Sequence, residues 1–193
     1  MSKLDAWLRL ALVPGVGNTS LIRLLTAFGS PEAVLSCGRT ALAVYLTAAQ
    51  CDALLAGPDV AQLDATLTWL DQPGNSLMTL ADTDYPKTLL EIADPPAMLY
   101  CKGQRRLLSQ PALGIVGSRN ATPQGVRDAE AFARALSDAG LTIVSGLALG
   151  IDAAAHRGGL AGAGSSVAVI GTGLDRIYPA RSKALAHQIV EAG

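Results

Sequence analysis

The sequence predicts an α/β protein, with a doubly wound, mostly parallel sheet preceded by a small all-α domain. Past residue 110, three short apolar runs, "ALGIVG" (112–117), "LTIVSG" (141–146) and "SVAVIGTG" (166–173), alternate with helical stretches. They lack polar alternation, as strands covered on both faces do, and their alternation with helices implies right-handed parallel crossovers. Before residue 72 only helical periodicity is found, broken by Pro and Gly. Of the 193 residues, 50% are hydrophobic but only 4% aromatic. That supplies a core for one or two domains and favours helices and buried strands over a β-sandwich.

The elements follow in order. "LDAWLRLALVPGVG" places Leu4, Trp7, Leu8 and Ala11 at helical spacing and stops at Pro14-Gly15. "NTSLIRLLTAFG" restarts with Asn18 or Thr19 as the expected N-cap and ends at Gly29. Ser30-Pro31 opens "PEAVLSCG", and "TAAQCDALLAG" and "DVAQLDATLTWLDQPG" add two helices. Residues 1–72 thus read as a small helical domain, and "DQPGNS" as a linker to a second domain at 73–193. In that domain we expect strands near 77–81 and 97–102 around a short helix near 86–92. The three strand–helix pairs follow, with helices at 123–139, 151–161 and 180–192, the first opened by Thr122-Pro123. Gly193 reads as the C-cap of the last helix. A helix without its next strand leaves an open edge, so the sheet is expected to continue past this chain.

Bulk properties exclude several classes. No apolar run approaches the roughly 18 residues of a membrane span. The N-terminus carries charges within its apolar stretch and lacks a small-x-small cleavage site, unlike a signal peptide. Cys37, Cys51 and Cys101 are odd in number and form no C-x-x-C. They read as reduced thiols of a cytoplasmic protein, with no zinc site. The net charge of −1 hides an asymmetry: the first hundred residues are acidic, the remainder basic. From Cys101 to Arg127 the bases Lys102, Arg105, Arg106, Arg119 and Arg127 occur with no acid. This half suits an anionic partner or, equally, a solvated basic face.

Ligands of open parallel sheets sit beyond the carboxyl ends of the strands. Those ends read "GSRNAT", "SGLALGID" and "GTGLDRIYP", each glycine-rich and each leading into a helix. Helix N-termini offer unpaired N–H groups and a positive dipole end, and glycine admits a phosphate close to the backbone. Ser118 and Ser145 can donate hydroxyl hydrogens, and Arg119 offers a fork suited to two phosphate oxygens. Three such loops side by side make a cradle longer than one phosphate, although each alone is also ordinary strand-to-helix turn chemistry. None matches a P-loop or a dinucleotide fingerprint. "VPGVGNTSLIRLL" has the form of a helix-hairpin-helix turn that can offer amides to DNA phosphates, or is simply a tight turn between helices.

Asp152 and His156 share a helical face, and with Ser145 nearby a Ser-His-Asp triad comes to mind. The nucleophile elbow G-x-S-x-G is absent, and further metal ligands are not obvious. The plainer reading makes Asp152 an orienting residue of its loop and His156 a structural hydrogen-bonding group. His187 falls on the polar side of the last helix.

"GIVGSRNATPQG", "IVSGLALGIDAAAHRGGL" and "AVIGTGLDRIYP", in this order and spacing, resemble the DNA-processing protein A family (DprA, also called Smf). "DTDYP…DPPAMLY" upstream also fits. The resemblance spans about 75–193, and the N-terminal helices resemble, more weakly, that family's sterile-alpha-motif-like domain. It implies a Rossmann-like domain that binds single-stranded DNA with little sequence preference, not an enzyme, with no cofactor and no metal. It also implies loading of RecA onto DNA taken up in natural transformation, and homodimerisation through the same domain. Carried onto this chain, Gly117, Ser118 and Arg119, with Asn120 beside them, match the phosphate-binding turn. Ser145, Gly146, Leu147 and Ala148 match the second loop, and Gly171, Thr172 and Gly173 the third. The family's Rossmann domain normally continues with further strands and an arginine-asparagine-arginine loop, which this chain lacks, so the domain is expected to be incomplete at its C-terminal end. Tyr178 is the aromatic beside the third loop, so phosphate contacts are expected to dominate base stacking. The competing reading is a nucleotide-processing enzyme of the lysine-decarboxylase-like phosphoribohydrolase class. Its Gly-Gly-x-x-x-Met-Gly motif and catalytic Glu-Arg pair are not found.

Overall fold

The structure, a computed structural model, describes residues 3–175 and 179–192. The chain forms two compact units, Met1–Tyr100 and Cys101–Gly193. The division therefore falls after Tyr100, whereas the change in sequence pattern falls near residue 72. The reason lies in the packing of the first unit.

Among its described residues that unit holds six α-helices, α1 (Lys3–Ala11), α2 (Asn18–Phe28), α3 (Pro31–Leu35), α4 (Arg39–Leu42), α5 (Ala48–Ala56) and α6 (Val60–Leu70), followed by strand β1 (Asn75–Thr79). β1 pairs with β2 (Met98–Lys102), which leads into the second unit. Trp7, Leu10, Leu24, Val34, Leu42 and Cys51 form the core, and Ala97, Met98 and Leu80 pack against it. The segment after the linker thus buries its apolar side chains on the helices, which draws it into the helical unit. Local chemistry sets the helix ends. Ser30 Oγ accepts the Ala33 N–H at the start of α3, and Gly29 closes α2 at φ 85°.

Asn18 departs from expectation. The N-cap of α2 is Gly17, and the Asn18 side chain serves a distant segment instead. Its Nδ2 donates to Asp94 Oδ1 (2.7 Å) and Pro95 O (2.9 Å), while its Oδ1 accepts the Ala97 N–H (2.7 Å). Three long-range hydrogen bonds outweigh one local cap worth about 1 kcal/mol.

The second unit is the α/β body. Strands β3 (Ala112–Gly114), β4 (Thr142–Ser145) and β5 (Ser166–Ala168) form a parallel sheet in the order β3-β4-β5. Leu113 lies beside Ile143, and Ile143 beside Ser166. Helix α7 (Pro123–Asp138) crosses from β3 to β4, and α8 (Ile151–Leu160) from β4 to β5. Ile143 is fully buried between them, with Ala133 of α7 and Ala155 of α8. Helix α9 (Lys183–Ala192) adds Leu185 and Ile189, which cluster with Leu147. The strands are shorter than their apolar runs, and Val116 and Val169 beyond them are 75% and 64% exposed. The chain leaves the ladder early because Gly117 and Gly146 turn toward α8.

Thr122 begins α7 as expected, its Oγ1 accepting the Gly125 N–H (3.1 Å) with Pro123 in the first turn. Thr122→Ala is expected to cost about 1 kcal/mol, read as a lower midpoint in urea at an unchanged slope. Cys37, Cys51 and Cys101 form no disulfide with one another. No helix of the described residues is long and apolar enough to cross a membrane. Gly193 lies outside the described residues.

Candidate nucleic-acid interface

The turns after β3 and β4 are locked together by the first turn of α8. The Asp152 carboxylate is 5% exposed and accepts three backbone N–H groups: Gly117 on Oδ1 (3.3 Å), and Gly146 (3.2 Å) and Ala148 (3.4 Å) on Oδ2. An acid in the first helical turn is also favoured by the macrodipole. The Ile151 N–H donates to Ser118 O (3.1 Å). Gly117 has no room for a side chain, since a Cβ there would stand 2.8 Å from Ile151 Cγ1. Gly150, at φ 77°, lies against the carbonyls of Ser118 and Arg119, so both its conformation and its neighbours require glycine.

His156 holds the same loop from below. It is fully buried, and its Nε2 accepts the Leu147 N–H (3.2 Å). An amide can only donate, so the ring proton resides on Nδ1, 2.7 Å from Ser166 Oγ. The Ser166 hydroxyl in turn donates to Ile143 O (2.8 Å). Leu147 sits at φ 59°, a left-handed conformation costing a non-glycine residue roughly 1–2 kcal/mol. It is held there by His156 on its N–H, by Ser182 Oγ donating to its carbonyl (3.3 Å), and by the Leu185–Ile189 cluster around its side chain.

Burial lowers the His156 pKa from 6.5 to about 4, against the opposing pull of the Asp152 charge. The folded state thus resists a proton that the unfolded chain accepts below about pH 6.5. Stability is expected to fall as pH drops from about 6.5 toward 4, by at most about 1.4 kcal/mol per pH unit, and this contribution levels off below that window. Urea titrations at pH 7, 6 and 5 check it, and His156→Gln flattens the trend.

The predicted residues separate into two groups. In the second loop Ser145 and Leu147 are buried and Gly146 is exposed, and all four expected residues have internal hydrogen-bond partners. The Gly146, Leu147 and Ala148 amides are spent on Asp152 and His156, and the Ser145 hydroxyl donates to Ile115 O (2.6 Å). Gly117 belongs with them, through its N–H. These donors have a carboxylate, an imidazole and a carbonyl as partners, so the loop forms a frame rather than a set of free donors.

The second group faces outward. Ser118, Arg119 and Asn120 are exposed. Ser118 Oγ accepts the Asn120 N–H (3.1 Å), which leaves its hydrogen available to donate. Among the described residues no carboxylate pairs with Arg119, while Arg134 pairs with Asp138 and Arg157 with Glu130. Gly171, Thr172 and Gly173 are exposed, and the chain near them stays beside the second loop through Val169 N–H donating to Ser145 O (2.9 Å). Tyr178 lies outside the described residues. His187 is exposed.

No triad is assembled, because Ser145, His156 and Asp152 each bond elsewhere. Among the described residues no three His, Cys, Asp or Glu side chains gather as a metal site. In the helical unit, Asp94 stands at the start of α2, held by Asn18 and by Thr19 Oγ1 (3.5 Å). A carboxylate at the mouth of the "VPGVGNTS" turn opposes a phosphate there.

Sequence reasoning passed over Ile151, Ser166 and Ser182. Ile151 could have been suspected from its place between Gly150 and Asp152. No local signal marks Ser166 or Ser182, whose partners are 23 and 35 residues away.

The fold and the strand-end loops define a Rossmann-like α/β protein whose glycine turns are closed around α8 and which offers, at the carboxyl edge of its sheet, an arginine with no carboxylate partner among the described residues. The sequence profile of the family DNA recombination-mediator protein A matches residues 76–193. The chain belongs to that family. It is 45% identical over 126 residues to the protein Smf of Synechocystis sp., covering 63% of this chain and 32% of that protein. It superposes with a TM-score of 0.79 and 30% identity on the X-ray structure of DNA processing protein A from Streptococcus pneumoniae, over 99% of this chain and 65% of that one. A Helicobacter pylori DNA processing protein A, solved for its single-stranded DNA binding mode, matches at a TM-score of 0.54 and 34% identity, over 61% and 53%. The chain spans about a third of the length of the first curated relatives it matches.

Proposed function

We propose that this chain binds single-stranded DNA with little sequence preference and serves recombination by presenting the strand to a RecA-type recombinase, as in natural transformation. The carrying observation is Arg119: exposed, without a carboxylate partner among the described residues, and mounted on a turn gripped by α8. Its planar fork suits two oxygens of one phosphate. Ser118 and Asn120 stand beside it, and the acid-free run from Cys101 to Arg127 adds attraction at longer range. Family membership supports the recombination role, and the Helicobacter pylori structure supports a single strand as the ligand. Phosphate contacts carry no base information, which accounts for weak sequence preference. Gly171, Thr172 and Gly173 would extend the path to a neighbouring phosphate. Dimerisation and a cytoplasmic location belong to the same reading.

A mononucleotide enzyme fits less well. Such folds place a phosphate on the turn between a strand and its crossover helix, and here amides of the Gly117 and Gly146 turns are already held by the Asp152 carboxylate. The test is fluorescence anisotropy with labelled single- and double-stranded oligomers at two ionic strengths. Salt-sensitive binding that favours the single strand supports the reading. No oligomer binding, with strong thermal stabilisation by one nucleoside monophosphate, overturns it in favour of the enzyme.

A further inference from the structure

We propose that Asp152 is a positioning residue that takes the place of a phosphate inside the protein, and by holding the amides of the two loops that meet before α8 sets the direction in which Arg119 faces the strand. The inference rests on the reading of Arg119 given above. Three N–H groups from two different loops converge on one carboxylate, Gly117 from the first and Gly146 and Ala148 from the second. Amides gathered in this way normally mark a bound anion. Here the anion is part of the chain, so the nest receives no nucleotide phosphate and instead becomes a joint.

The joint reaches Arg119 in short steps. Asp152 holds the Gly117 N–H, Ile151 N–H holds the Ser118 carbonyl, and Gly150 lies against the Ser118 and Arg119 carbonyls. The backbone is thus fixed on both sides of Ser118, and Arg119 is the next residue outward. The turn thus fixes where the Arg119 side chain leaves the backbone, and the side chain itself is exposed.

Charge and position make opposite demands at Asp152. The carboxylate is hydrogen-bonded to Gly117, two residues before Arg119, and its charge repels a phosphate drawn to this turn. If only its charge mattered, removing it would tighten DNA binding. If it positions Arg119, removing it weakens binding.

The experiment compares the parent chain, Asp152→Asn, Asp152→Glu and Arg119→Ala, and the Asp152→Asn/Arg119→Ala double variant. A labelled oligothymidylate at fixed salt is the probe, with amide hydrogen exchange read by NMR alongside. Asp152→Asn is expected to weaken binding about tenfold, and Asp152→Glu, which keeps the charge but displaces it by a methylene, to weaken it similarly. The Asp152→Asn effect is expected to vanish in the Arg119→Ala background, which a general loss of stability would not produce. Exchange protection falls in Asp152→Asn at Gly117 or at the Gly146–Ala148 pair, whichever faces the new NH2 group, and is kept in Arg119→Ala. Equal or tighter binding by Asp152→Asn, the same loss in both backgrounds, or unchanged protection at the three amides overturns the proposal. If Arg119→Ala binds as the parent does, the DNA reading fails, and the three amides still decide whether the joint exists. Should Asp152→Asn not fold, Asp152→Glu carries the same comparisons.

Discussion

Arg119→Ala is expected to weaken single-strand binding about tenfold at moderate salt and to take about 0.7 off the slope of log K against log salt. The slope is the sharper readout, because it counts phosphates neutralised rather than stability lost. A charge-assisted hydrogen bond contributes about 1.5–3 kcal/mol, and a tenfold change corresponds to about 1.4 kcal/mol, so one contact suffices for the effect. Arg119→Lys is expected to keep the slope and still lose affinity, since an ammonium keeps the charge but not the fork. The side chain is exposed, so neither variant disturbs the fold. Parent-like binding by Arg119→Ala would remove this turn from the DNA path.

The largest stability effect is expected from Gly158→Val, at about 3 kcal/mol. Gly158 lies on the face of α8 turned to α7. A Cβ there would press on Glu130 O, and would stand 2.7 Å from Ala133 Cβ and 2.9 Å from Arg134 N. Two of these three neighbours are backbone atoms of α7 and cannot swing aside, so the helices must separate and Ile143 beneath them loses its cover. A unit of this size unfolds at about 4–8 °C lower temperature per kcal/mol, so a fall beyond 10 °C in a circular-dichroism melt is expected. Gly114→Ala is the control, because no atom stands within 4 Å of its Cβ position, and it is expected to leave Tm within a few degrees. A parent-like melt for Gly158→Val would mean that α7 and α8 do not approach this closely.

What was legible in the sequence follows the range of the interaction. Thr122 and Ser30 cap their helices through hydrogen bonds three residues away, and Gly29 closes α2 with its own φ. Such features need only the local chain, so residue type and spacing reveal them. Asn18 has the same cap chemistry, yet Ala97 and Asp94, more than seventy residues on, claimed its side chain. The strand ends were overestimated for a related reason. Ile115 and Val116 are β-branched and look like strand, but Gly117 is pulled from the ladder by Asp152, 35 residues away.

The site divides in the same way. Arg119 was legible because an exposed arginine on a glycine turn after a strand needs no partner to be read. In the second loop, glycine-rich spacing shows that amides are available but not that Asp152 and His156 already hold them. Asp152 and His156 were legible as a pair on one helical face. Their partners were not, since Gly117 and Ser166 reach them only once β3, β4 and β5 align.

By itself the amino-acid order determined the alternation of strands and helices, several helix caps, the acid-free basic run and the family motifs. Each depends on neighbours within a turn or two, or on composition. Tertiary structure alone decided that the segment after the linker packs with the helices, that an internal carboxylate fills the amide nest, and that Arg119 has no carboxylate partner among the described residues. Those outcomes depend on which groups meet after the chain closes on itself, and a donor's partner is set by that closure rather than by its own spacing.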